Sequence, residues 1–133
     1  MGARRKITPA DGQAALARWR AQGEALARPQ LATAVRFALE ELAAQAPGPA
    51  VEVRVPPFGA AQCAPGPRHT RGTPPNVVEA APQAFLALAT GSLNWHDAVR
   101  SGQVLASGAR ADLSPYLPLG GLGAGDQAGG DPG

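Results

Sequence analysis

The feature that most constrains this chain is a change of hydrophobic period at Ala50. Before it, Leu31, Val35, Ala38, Leu39, Leu42 and Ala46 recur at three- and four-residue intervals. That spacing predicts one stripe of an amphipathic helix, opened by Pro29 and ended by Pro47-Gly48-Pro49. After it, Val51, Val53 and Val55 alternate with Glu52 and Arg54. A strand with one greasy and one charged face is half-buried, as in an antiparallel sheet. A chain that does both in succession must lay a helical layer on one face of a sheet.

The other elements follow from local chemistry. Residues 1–8 read as a flexible arm, and 9–119 as the folded domain. Thr8-Pro9 starts a helix, with a hydroxyl to cap free amides and a proline in the first turn. Ala15, Leu16, Trp19 and Leu26 supply its apolar side, and Gly23 breaks it. Pro56-Pro57 ends the first strand, because proline cannot donate to a ladder. Phe58 to Cys63 is expected to return beside it, followed by a turn at Ala64-Pro65-Gly66-Pro67. Arg68 to Pro75 is a long loop, and Asn76 to Glu79 a third strand. Pro82 opens a helix carrying Phe85, Leu86, Leu88 and Ala89, with Gly91 as its C-terminal cap. Asn94 caps a shorter helix bearing Trp95, Ala98 and Val99, which ends at Gly102. Gln103 to Ala106 is a last strand, and Leu113, Tyr116, Leu117 and Leu119 form a final helix or extended turn. From Gly120 to Gly133 hardly any side chain can pack, so a disordered tail is expected. The fold class is therefore α+β, a small, mainly antiparallel sheet covered by helices.

Composition narrows the function classes. The 133 residues suffice for one domain. The net charge of +2 is concentrated early, at Arg4, Arg5, Lys6, Arg18, Arg20, Arg28 and Arg36 against Asp11 and Glu24. With no stacking platform or binding motif beside them, these cations read as the wet faces of two helices, so no nucleic-acid partner is expected. A single cysteine cannot staple a monomer. Ile7-Thr8-Pro9-Ala10-Asp11 is polar and turn-like after the basic triplet, unlike a secretory leader. No apolar run is long enough for a membrane span. The expectation is a soluble, cytoplasmic protein, with a homodimer left open.

Little in the chain suggests catalysis. Cys63, His69 and His96 are the candidate metal ligands, and their spacing matches no zinc motif. Cys63 and His69 could face one another across the Pro65–Pro67 turn as nucleophile and base. The alternative is a small buried thiol and a loop histidine bonded to backbone. No phosphate-binding loop, dinucleotide fingerprint or nucleophile elbow is present, and no cofactor is expected.

The loop is more suggestive. Arg68, His69, Arg71 and Asn76 sit on backbone stiffened by Pro67, Pro74 and Pro75, and a stiff loop loses less entropy on binding. An arginine fork suits a carboxylate or phosphate. The competing reading pairs Arg68 or Arg71 with Glu52 or Glu79 and uses Thr73 and Asn76 to satisfy turn backbone.

Two blocks carry a resemblance: Val51-Glu52-Val53-Arg54-Val55-Pro56-Pro57-Phe58, and Arg68-His69-Thr70-Arg71-Gly72-Thr73-Pro74-Pro75-Asn76-Val77-Val78-Glu79. Phe85-Leu86-Ala87-Leu88-Ala89-Thr90-Gly91 follows them, and then Ala98-Val99 before Gly102. The run from Val51 to Leu119 resembles sterol-carrier-protein-like domains, and more narrowly their bacterial branch found in actinobacteria. The resemblance implies a sheet and covering helices that enclose an apolar tunnel for a fatty acyl, lipid or sterol-like ligand. Phe58, Val77, Phe85, Leu88, Trp95, Val99 and Leu117 would line that pocket, or serve as core. Arg68, His69, Arg71 and Asn76 would meet the polar end. The alternative is a small interaction or accessory module that keeps the fold without the tunnel, since such domains also occur fused to enzymes.

Overall fold

The computed structural model describes residues 5–68 and 75–123. Helix α1 (Pro9–Gln22) starts as its capping chemistry requires: the Thr8 hydroxyl accepts the Asp11 amide at 3.1 Å, and Pro9 opens the first turn. Gly23, at φ +55°, stops it. A short 3-10 turn leads to α2 (Arg28–Gln45), the amphipathic helix read from the apolar stripe. The two helices meet closely at Gly12, where a Cβ would come within 2.2 Å of the Phe37 ring.

Four strands form one sheet: β1 (Val51–Val55), β2 (Gly59–Cys63), β3 (Val77–Ala80) and β4 (Val104–Ser107), in the order β2-β1-β3-β4. β1 pairs antiparallel with β2 through a turn in which the Phe58 amide donates to the Val55 carbonyl. β3 lies parallel to β1, and β4 returns antiparallel to β3. Between β3 and β4 run α3 (Pro82–Thr90) and α4 (Trp95–Arg100). Gly91 caps α3 in the left-handed region, and the Asn94 side chain accepts the His96 and Asp97 amides at the start of α4. Ser114–Tyr116 is a short 3-10 turn rather than a longer helix.

The alternation seen in the sequence sorts the sheet faces. Val51, Val53, Val55, Val78, Ala80 and Val104 turn inward against Leu16, Val35, Phe37, Leu42 and Leu86. Glu52 and Arg54 point away and pair with each other at 2.8 Å. No helix among the described residues is long and apolar enough to cross a membrane.

Both termini of the expected domain need correction. Residues 5–8 are not a loose arm: the amides of Lys6 and Ile7 donate to the Glu40 carboxylate at 3.0 and 3.3 Å, and Arg5 pairs with Glu41 at 2.6 Å. One half-buried isoleucine and one well-placed acid are enough to hold them down. Nor is the chain unpacked from Gly120. Leu122 is 1 % exposed, and the side chains of Gln13 and Arg20 donate to the carbonyls of Gly121 and Leu122. A lone leucine among glycines therefore anchors this stretch to α1, beyond the expected boundary at Leu119. The rest of the expected tail, residues 124–133, and residues 1–4 lie outside the described residues.

Candidate functional site

An open groove of about 1200 Å³ runs between the flank of α2 and β2, an edge strand of the sheet. Its existence follows from side-chain size. β2 reads Gly59-Ala60-Ala61-Gln62-Cys63, and facing it α2 offers Thr33, Leu39 and Ala43. Glycine and alanine leave a volume that a row of valines would fill. Phe58 and Ile7 add apolar wall, and the Pro47-Gly48-Pro49 turn contributes backbone. Gly48 is required there, because its φ is +143° and a Cβ would meet the Ala64 carbonyl at 2.1 Å.

The groove is electropositive. Lys6, Arg36 and Arg68 line it, with Glu40 as its acidic member. The Glu40 carboxylate is already engaged by the amides of Lys6 and Ile7. Arg36 Nε donates to the Phe58 carbonyl at 3.0 Å, which orients its guanidinium along this wall. Arg28 lies over the Phe58 ring, 5.3 Å from its centroid, as a cation–π partner. Arg68 is exposed and, among the described residues, is held by no hydrogen bond or ion pair. Its expected pairing with Glu52 or Glu79 is not seen, since Glu52 takes Arg54.

The structure scatters the expected pocket residues. Phe58 lines the groove. Phe85, Leu88 and Trp95 are buried members of the continuous core, and Leu117 packs against that core. Val77 is half-buried, while Val99 is 40 % exposed on α4 and belongs to no interior wall. Of the polar loop, Arg68 reaches the groove, and His69 and Arg71 lie outside the described residues.

Asn76 has a different role, as a clasp between three segments. Its amide donates to the Ala50 carbonyl at 3.1 Å, its side-chain oxygen accepts the Arg110 amide at 2.9 Å, and its own carbonyl accepts the Glu52 amide at 3.0 Å. Gly108 sits against it so closely that a Cβ would lie 2.4 Å from that oxygen. The competing structural reading of Asn76 is therefore the better one, although it satisfies distant backbone rather than its own turn.

Sequence reasoning missed Leu39, Ala43 and Ala61 as groove walls and Arg36 as a groove cation. The signal was the run of small residues at 59–61, which reads as an indifferent strand until its neighbour across the gap is known. Cys63 is fully buried, and burial pushes its thiol up to about 11, far from a nucleophilic thiolate at neutral pH. His96 is exposed on α4. No cluster of three metal-ligating side chains occurs among the described residues.

A family model described as "Bacterial SCP ortholog" matches residues 27–119, from the start of α2 through Leu119. No curated protein matches the chain.

Proposed function

Because the chain belongs to the bacterial sterol-carrier-protein (SCP) ortholog family, we propose that it is a non-catalytic carrier that binds an apolar ligand in the α2–β2 groove. The ligand class is a fatty acyl, lipid or sterol-like molecule. The observation that carries this reading is the groove itself. Its volume of about 1200 Å³ exceeds the roughly 300–1,000 Å³ of ordinary small-molecule sites, so a long chain fits. Leu39, Ala43, Phe58, Ala61 and Ile7 supply the apolar wall. Each buried methylene contributes about 0.8 kcal/mol, so a chain lying along this wall gains several kcal/mol. Arg36 and Arg68 offer an anionic head a planar, bidentate partner. A non-catalytic role is supported by the burial of Cys63, which pushes its thiol up to about 11, and by the exposure of His96.

A second reading, an interaction module without a tunnel, is favoured by one observation: Phe85, Leu88 and Trp95, the residues that would wall an interior cavity, pack into the core. The two readings separate experimentally. A fluorescent long-chain fatty acid is expected to bind saturably to the protein, and Ala43→Trp, which fills the groove from an incompletely buried helix position, should abolish binding with little change in melting temperature. Binding that survives in a folded Ala43→Trp protein would move the site elsewhere, and no binding to the wild type would leave the interaction module.

A further inference from the structure

The direction of the backbone in β2 decides what its free edge can do. Glu52 donates its amide to the Asn76 carbonyl, on the β3 side of β1. Because backbone groups alternate sides along a strand, Val51, Val53 and Val55 therefore face β2, where they are opposite Cys63, Ala61 and Gly59. That leaves Ala60 and Gln62 with their N–H and C=O directed out of the sheet. The pattern ends at Ala64, which has φ +74°: its amide donates to the Ala46 carbonyl at 2.7 Å, while its carbonyl turns back to accept the Ala50 amide at 3.1 Å. Ala60 and Gln62 are exposed, and β2 pairs with no second strand among the described residues.

Edge strands are usually guarded by charge, proline or a bulge. Gly59-Ala60-Ala61-Gln62-Cys63 contains no charge and no proline. The groove beside it carries Lys6, Arg36 and Arg68, while the carboxylate of Glu40 is occupied. We infer that the free edge of β2 is a docking site for an extended acidic peptide, which adds a fifth strand to the sheet and places its carboxylates on these cations. The two outward donor–acceptor sets, two residues apart, match the repeat of a peptide strand and have no counterpart on an acyl chain. Small side chains at 59–61 let the added backbone approach, and main-chain bonds supply affinity while the cations select charge. The inference does not depend on the carrier reading, although a strand and a lipid would compete for the same groove.

The test uses a short fluorescent peptide of alternating valine and glutamate, read by anisotropy on the full chain. Saturable binding is expected, with a lysine-for-glutamate version at least about tenfold weaker. N-methylation of one alternate set of peptide amides should abolish binding, and methylation of the other set should not, because a strand presents one edge to β2. Ala60→Pro removes an outward donor without touching the β1 ladder, and should weaken binding about tenfold or more with circular dichroism unchanged. If that variant misfolds, the two methylated peptides still decide. No binding, equal tolerance of both methylation patterns, or indifference to charge would overturn the proposal. So would a wild-type dimer that Ala60→Pro converts to monomer, since a second copy would then be the occupant.

Discussion

The two flanks of this sheet are built on opposite rules. On the α3–α4 side, Phe85, Leu86, Leu88 and Trp95 push large apolar groups into the core and fill it. On the α2–β2 side, Gly59, Ala60, Ala61 and Ala43 withhold volume, and a groove remains. Both flanks present apolar side chains, so hydrophobicity alone does not mark a site. Volume does. Space survives where small residues face one another across an edge that the sheet does not close, and cations collect there because the rim stays in water.

The sharpest way to break this contrast is to cut volume from the filled side. Phe85→Ala should destabilise the protein by about 3–5 kcal/mol, the range for deleting a buried aromatic, as measured by urea unfolding. A loss below about 1 kcal/mol would mean that the α3 flank already holds slack, and that an interior cavity deserves to be sought there.

Next in size comes the clasp. Asn76→Ala leaves the Ala50 carbonyl and Arg110 amide without their partner. A cost of about 1–3 kcal/mol is expected in the same assay. A change within experimental error would show that water replaces the side chain, and the loop anchor would have to be assigned elsewhere.

The sequence made the two flanks unequally legible. The periods of Leu31 to Ala46 and of Val51 to Val55 identified α2 and β1, because burial on one face leaves an unmistakable spacing. Caps at Thr8, Gly91 and Asn94 were readable for the same local reason. Phe85, Leu88 and Trp95 were equally visible, but a large apolar residue has the same appearance whether it walls a pocket or fills a core. The groove was illegible. It depends on the absence of side-chain volume at residues far apart in the chain, and on which strand ends at the sheet's edge. Leu122 was missed because a single anchor among glycines carries no period, and Lys6 and Ile7 because their hold is made by Glu40, a whole helix away.

Cys63 offers a test of burial next to the groove. Since the folded thiol is raised to about 11 by desolvation, the folded state keeps its proton while the unfolded chain ionises in the ordinary thiol range. Stability should therefore be unaffected below that range and fall as pH rises through about 11. At neutral pH a thiol reagent should label native protein far more slowly than urea-unfolded protein. Rapid native labelling would show that the strand end opens into the groove.

The smallest stability effect is expected on the open side. Arg68 is exposed, so Arg68→Ala should shift stability by no more than about 0.5 kcal/mol. It should nonetheless weaken a fluorescent long-chain fatty acid more than the corresponding neutral alcohol. Equal weakening of both would assign the side chain to packing rather than to recognition of charge.

The most direct test of the open groove as the binding site is an amide chemical-shift titration of the full chain with a long-chain fatty acid. The expected result is that the largest shifts fall on Leu39, Ala43, Phe58 and Ala61, with Phe85, Leu88 and Trp95 little changed. The largest shifts on Phe85, Leu88 and Trp95 would contradict it, and would place the ligand in an interior that must open to admit it.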